Sequence, residues 1–395
     1  MGTNFNVGSF NAINTDIENK PKKNSSKGSN DDFKKKLLIL GGIILGGVII
    51  LFLVLFLIST FFPKSYSYDE IENIMKNAAV NYFEDHPKKL PASLNQMVEI
   101  DVETLAASEY MKEMIEYTGE ELSCSGKVSV QTNGDDYLYV PHLECGDDYI
   151  TQSLKEVVLK NVTTTGYGLY QDGDNYVYRG EDVNNYLQLE KSLWRIVKVN
   201  SKGQMLLILN DRTNEALPWD DRYNAQIGYN IGINTYSASR IKDSLNEYYK
   251  TNDEDKAILS DEDRSKLVSF DLCTAKKASN EEKKNNSVEC GEILADQKIG
   301  LLTASDYMMG SVDPNCKTVV DFSCQNYNYL ATDYKWWLLT ATADSTKEAY
   351  GVDNSGVAKK VTTSSFMYAR PVVLLDSNVL FKSGKGTLNK PYKIK

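Results

Sequence analysis

Histidine is nearly absent from this 395-residue sequence, which contains only His86 and His142. Residues 166–395 have none, which excludes histidine-activated nucleophiles and histidine metal ligation there. His86 precedes a proline at an expected helix end, and His142 follows one in an expected strand. Both positions suit structural or exposed roles better than catalytic ones. Cysteine is sparse too, with six residues, no C-x-x-C and no histidine close by, which argues against zinc. No EF-hand pattern, internal repeat or A-x-A-like cleavage site is evident. Most of the chain also lacks a basic excess. Beyond residue 36 there are 37 basic and 50 acidic side chains, a net charge of −13. That balance argues against nucleic acid and against a polybasic membrane patch.

Against these absences stands one long apolar run. Leu37 to Ile58 is 22 residues of Leu, Ile, Val, Gly and Phe without a charge. At 1.5 Å per residue a helix of that length reaches ~33 Å, enough for the ~30 Å hydrocarbon core of a bilayer. We expect a transmembrane helix over residues 37–62. Residues 1–36 hold seven lysines and four acids, with Lys34, Lys35 and Lys36 directly before the run. After it Lys64 stands alone, ahead of Asp69, Glu70 and Glu72. The lysine bias puts the N-terminus in the cytoplasm and the bulk of the chain outside the plasma membrane. The run is too long for a cleaved signal peptide, so it reads as an uncleaved, single-pass signal anchor. Gly42 and Gly46 form a GxxxG step suited to a homodimer. The tail, residues 1–36, is polar and aperiodic and is expected to be disordered. It is too small for a kinase or a nucleotide-binding domain.

Two outer units are expected, both α+β. The first, residues 65–150, opens with the capping box Ser67-x-x-Glu70, followed by Ile71, Ile74, Met75, Ala78 and Tyr82 at helical spacing. Pro87 ends that helix. A short helix near Val102–Ser108 comes next, then a β-hairpin around residues 133–136. With a four-residue loop the hairpin sets Cys124 opposite Cys145; a two-residue turn would make them diagonal neighbours. Six cysteines allow 15 connectivities; in an oxidising compartment we expect neighbour pairing, which also joins Cys273 to Cys290 and Cys316 to Cys324. A helix leaving the membrane and covering a small sheet resembles pilin architecture. The pilin processing signature, a Gly before the apolar run and a Glu five residues into it, is absent. We read this unit as a membrane-proximal stalk.

Residues 151–165 read as a linker. Residues 166–395 show strand patterns at 176–179, 193–199, 205–210, 299–303, 336–341, 349–354 and 371–375, and a helix at 237–249 with Ile241, Leu245 and Tyr248 on one face. Four segments carry a resemblance: LWRIVKV (193–199), SRIKDSLNEYY (239–249), WWLLTATADSTKEAYGVDNSGV (336–357) and ARPVVLL (369–375). In order and spacing they resemble a family of bacterial surface domains related to the C-type-lectin and formylglycine-generating-enzyme fold. That resemblance implies a C-type-lectin-like distal domain. Leu339 stands where the family usually has Arg. The stalk-plus-lectin layout also resembles surface proteins of low-GC Gram-positive or wall-less bacteria.

Candidate site residues follow from chemistry. The loop 211–236 mixes Trp219, Tyr223, Tyr229 and Tyr236 with Asp220, Asp221, Arg222 and Asn224, a combination that suits sugars and peptide surfaces. Trp219, directly after Pro218, equally suits a core plug beneath the loop. Trp336 and Trp337 are adjacent on a strand, so one should face the core and the other, Trp337, a pocket. Arg370 reads as a buried ion-pair partner. Oxygen ligands at Asp172/Asp174/Asn175, Asp220/Asp221 and Asp253/Glu254/Asp255 are candidates for Ca²⁺. The expected function is a non-catalytic surface module binding a glycan or protein. The alternatives are a structural or sensory membrane component and, third, an enzyme using Cys or carboxylates. No other cofactor is implied.

Overall fold

In this computed structural model residues 29–61, 66–93, 96–119, 123–132, 134 and 136–395 are described. The chain divides into two compact units, Met1–Ser65 and Tyr66–Lys395. The described part of the first is a single helix, α1 (Ser29–Phe61), which takes in the whole apolar run. Its Lys34–Phe52 stretch is long and apolar enough to cross a membrane, and none of it is buried within the protein. Helix begins at Ser29 rather than Leu37, so residues 29–36 are not the disordered tail expected of them. Once a helix is nucleated, adding residues at its end costs little. The remainder of the expected tail, residues 1–28, lies outside the described residues.

The second unit starts with α2 (Tyr68–Asp85), and both bonds of the Ser67–Glu70 capping box form. Pro87 opens a short 3₁₀ turn that ends the helix. There follow β1 (Met97–Asp101), α3 (Val102–Ala107), α4 (Ile115–Thr118), β2 (Ser125–Thr132), β3 (Tyr137–Cys145) and β4 (Tyr149–Ile150). The four strands form an antiparallel sheet in sequence order. Helix α2 lays Ile71, Met75, Ala79 and Phe83 on it, against Val128, Val130 and Leu143. Gly126 permits this approach, because a Cβ there would sit 2.6 Å from Met75 Cε. Thr132 pairs with Tyr137, so the hairpin takes the four-residue loop, and that register brings Cys124 and Cys145 together as a disulfide.

Residues 151–165 are not a linker. They contain α5 (Leu154–Leu159), capped by Ser153, and Leu154 and Val158 are fully buried in the larger core. Leu154 N–H donates to Val379 O, so this segment is stitched to the end of the chain. The larger core surrounds a nine-stranded sheet. It includes the hairpin β5 (Gly168–Asp172) and β6 (Asn175–Arg179), then β7 (Tyr186–Gln188), β8 (Leu193–Val199) and β9 (Met205–Leu209). Strand Val372–Leu375 runs antiparallel beside β9. Both it and β9 are buried at every residue, which accounts for their unbroken apolar sequences. Helices α6 (Arg240–Lys250), α7 (Asp261–Ser265) and α8 (Ala304–Met309) complete the α+β fold. As expected, α6 buries Ile241, Leu245 and Tyr248. Residues 299–303 do not form a strand. They touch the sheet edge at one bridge, Gly300 to Val372, before Thr303 caps α8. Trp336–Ala341, Glu348–Val352 and Ala358–Thr362 make a separate three-stranded sheet.

The two cores are joined by a buried carboxylate. Glu72 on α2 is 1% exposed. It accepts from Tyr149 Oη at 2.7 Å, from the Thr151 hydroxyl and from Lys395 Nζ. Lys395 also pairs with Asp69 at 2.6 Å. Burial alone would lower the Lys395 ammonium, but Asp69, Glu72 and Tyr149 outweigh it and raise its pKa well above the ordinary value. Asn378 Nδ2 to Gln131 Oε1, at 2.9 Å, adds a second bridge. Lys395→Ala leaves Glu72 buried with only hydroxyl donors. It should cost about 3 kcal/mol in chemical denaturation, at the lower end of the range for a broken buried pair. A variant as stable as the parent would show that the bridge contributes nothing.

Candidate functional site

The site is built on an irregularity in β8. Arg195 pairs with Ile208, Ile196 with Leu207 and Lys198 with Leu206, which leaves one extra residue between Ile196 and Lys198. Side chains alternate along a strand, so without that bulge Arg195 and Lys198 would point to opposite faces. With it they share a face, bordered by Val372 and Leu374 of the neighbouring strand. A cleft of about 450 Å³ opens at the Lys198 end, and a separate cavity of about 360 Å³ lies at the Arg195 end.

In the larger cleft Lys198 Nζ lies 2.8 Å from Asp306 Oδ1. Asp306 is in the first turn of α8, and Thr303, the cap of that helix, donates to its other oxygen at 2.7 Å. Asn286 Nδ2 donates to Oδ1 at 3.2 Å. Burial alone would raise the Asp306 carboxyl, but Lys198, Thr303 and Asn286 outweigh it and hold it below 3.8. The floor is therefore a fixed ion pair surrounded by amide and hydroxyl groups, with Leu206, Phe270 and Leu301 as apolar wall. Such groups can exchange hydrogen bonds with hydroxyls and amides. A carboxylate locked by three donors is poorly suited to shuttling protons near neutral pH. None of these four polar residues stands out by motif. The available signal was Lys198, one of two charges in the otherwise apolar strand LWRIVKV.

Deeper in, Lys277, Glu289 and Ser305 are all fully buried. Lys277 Nζ lies 2.7 Å from Ser305 Oγ and 3.7 Å from Glu289 Oε2, and Ser305 donates to Glu289 at 2.8 Å. A serine beside a lysine has the makings of a nucleophile and its base. Here the serine is sealed from solvent and its proton is committed to Glu289. The cluster anchors the 274–292 segment to α8.

The aromatic candidates divide. Trp219 and Trp337 are each 0% exposed and do not form a binding platform. Trp219 Nε1 donates to Leu338 O at 3.3 Å and Trp337 Nε1 to Leu217 O at 2.8 Å, so each indole is a core plug with its polar handle tied. Trp336 is buried as well, because the strand carrying both is covered on both faces. Tyr236 is buried against Trp219. Tyr223 and Tyr229 are 60% and 69% exposed, and neither lines the cleft. Arg370 is buried as expected but has no carboxylate partner among the described residues. It donates to the carbonyls of Leu209, Leu330 and Asn210.

The acidic candidates are largely committed to cations. Asp172 pairs with Arg179 at 3.3 Å. Asp220 is buried between Arg222, at 2.7 Å, and the Ile233 N–H, at 2.8 Å. Asp221 lies 2.7 Å from Arg240. Asp174 is exposed in the turn after β5, and Asp253 accepts from the Asp255 N–H in another turn. Among the described residues no three or more His, Cys, Asp or Glu side chains converge with metal-ligand spacing. His86 stacks on Tyr82 and His142 is half-buried in β3, its pKa lowered by burial and by Lys127. All six cysteines are paired as neighbours, and Cys273, bonded to Cys290, forms part of the cleft wall.

Comparison of the chain with protein-family models, curated proteins and solved structures gives no match.

Trp219→Ala should destabilise the protein by about 3–5 kcal/mol, whereas Tyr229→Ala should stay within about 0.5 kcal/mol, both read by urea denaturation. Equal effects would contradict the placement of these rings. The folded Asp306 carboxyl sits below its unfolded value of 3.8. Its contribution is therefore present above that pH and is lost as pH falls through the folded value. Asp306→Asn should flatten the acid limb of the stability–pH curve, and an unchanged limb would contradict the ion pair.

Proposed function

We propose that the protein is a single-pass membrane-anchored surface protein with its N-terminus in the cytoplasm, whose outer part is a non-catalytic module binding a glycan or protein ligand. The observation that carries this reading is the cleft over Lys198 and Asp306. It has the size of a small-ligand site, apolar walls and a few fixed polar groups, while its carboxylate is held ionised and immobile. The pairing of every cysteine argues against a thiol nucleophile. The basic flank before the apolar run and the acidic composition after it support the orientation.

The relationship to the C-type-lectin and formylglycine-generating-enzyme fold belongs to the same proposal. What supports it is that two of the four resembling segments, LWRIVKV and PVVLL, flank β9 in the central sheet. A third supplies the first two strands of the separate three-stranded sheet. Homodimerisation through Gly42 and Gly46 is part of the proposal as well.

The test is binding of the full chain, held in phosphatidylcholine nanodiscs, to glycan arrays and cell-envelope fractions with and without Ca²⁺. We expect saturable binding that Ser269→Trp, at a partly exposed position of the cleft wall, reduces at least tenfold. Absence of saturable binding to any fraction, or binding indifferent to Ser269→Trp, would overturn the reading.

A further inference from the structure

The cavity at the other end of the bulged face has a floor made of hydrogen-bond donors. Arg195 and Arg370 both line it and are 7% and 1% exposed. Among the described residues neither guanidinium has a carboxylate partner. Arg195 donates to Asn185 Oδ1 at 2.8 Å and to the carbonyls of Tyr329 and Val183 at 3.4 Å. Arg370 donates to three backbone carbonyls. A guanidinium has five N–H groups, so three bonds apiece leave two donors on each. Aromatic faces supply the rest of their surroundings. Tyr186 and Tyr329 lie 4.1 and 4.7 Å from the Arg195 guanidinium, and Trp336 lies 5.0 Å from that of Arg370. Burial pushes both guanidinium pKa values down, and for Arg195 the nearby Arg370 adds to it. A bound negative charge would relieve that cost.

A second observation points the same way. Tyr329 also lines the cavity and is 6% exposed, and its hydroxyl has no hydrogen-bond partner. Two partly unmatched guanidiniums and an unpartnered phenol gathered at one 360 Å³ cavity call for an acceptor. The rim refines the choice. Asp211 and Asp333 are exposed at the mouth. They disfavour a doubly charged phosphate but accept hydrogen bonds from hydroxyls. Tyr334 offers a ring beside them, and the planar forks of arginine match a planar carboxylate.

We propose that this cavity, floored by Arg195 and Arg370 and rimmed by Asp211 and Asp333, binds an acidic sugar through its carboxylate. The floor holds the carboxylate, and the rim reads the neighbouring hydroxyls. The proposal rests on the glycan-binding reading and narrows it to uronic-acid-type units.

The test is calorimetric titration of the full chain in phosphatidylcholine nanodiscs at low salt with glucuronate, glucose and inorganic phosphate. Glucuronate should bind at least about tenfold more tightly than either of the others, the loss expected when a charge-assisted pair is missing. Asp333→Asn keeps an acceptor oxygen for the sugar hydroxyls but removes a negative charge at the mouth, and should tighten glucuronate by about two- to fivefold, as screened Coulomb repulsion predicts. Arg195→Lys keeps the charge, loses the fork, and should weaken it at least about tenfold, with folding followed by thermal melting. Glucose binding as well as glucuronate would overturn the acidic-sugar assignment while leaving a glycan-binding module standing. Phosphate binding equally would reduce the site to general anion affinity and overturn it too. Glucuronate affinity unchanged by Asp333→Asn would move the ligand away from this cavity. Absence of binding by all three probes would overturn the inference, and the array experiment would then decide independently whether the module binds anything.

Discussion

A carboxylate cannot be withdrawn from water without compensation, and the unit Tyr66–Lys395 is organised around that constraint at Glu72. The residue sits on the first helix after the apolar run, on a face otherwise occupied by Ile71, Met75 and Ala79. Its compensation comes from Tyr149, Thr151 and Lys395, and the last of these lies 323 positions along the chain. The smaller sheet and the larger one have separate apolar cores, yet they behave as one compact unit because the charge in one is satisfied from the other. Helix α5 reinforces the join by placing the intervening segment in the larger core.

The same demand shapes the interior of the larger core in three different ways. Lys277 and Glu289 neutralise one another with Ser305 between them. Asp306 is held by a half-buried lysine at the edge of a cleft. Arg195 and Arg370 are stabilised by carbonyls and aromatic faces rather than by acids. The first arrangement is closed and anchors a segment. The other two open onto cavities on one face of the sheet, where fixed charges at low dielectric can discriminate between ligands. A single extra residue in β8 brings them to that face, so the shared face follows from a local departure from strand regularity.

Much of the architecture was legible because it depends on short-range rules. The capping box at Ser67, the period of α2 and α6, the hairpin register and the neighbour disulfides each follow from residues close together in sequence. The site was not legible in the same way. Trp219 suited a ligand platform or a core plug and Trp337 a pocket, since composition cannot say which side of a loop is covered; the structure covers both. Asp220 and Asp221 looked like cation ligands, yet their arginine partners, Arg222 and Arg240, come from the same loop and from α6. Residues 151–165 read as a linker because their apolar content is modest, although two residues, Leu154 and Val158, suffice to bury the segment.

By itself, then, the sequence determined an apolar helix long enough to span a bilayer, an α+β chain beyond it, a hairpin register that sets Cys124 opposite Cys145 and the scarcity of histidine chemistry. Periodicity, hydropathy and turn length are properties of neighbouring residues, so they survive without knowledge of the fold. Only the tertiary structure decided which charges are buried together, which aromatic rings are core and where the cavities open. Those outcomes depend on contacts between residues far apart in the chain, such as Lys198 with Asp306 and Arg195 with the Tyr329 carbonyl. Burial sets their energies, and burial is a property of the assembled fold rather than of any segment within it.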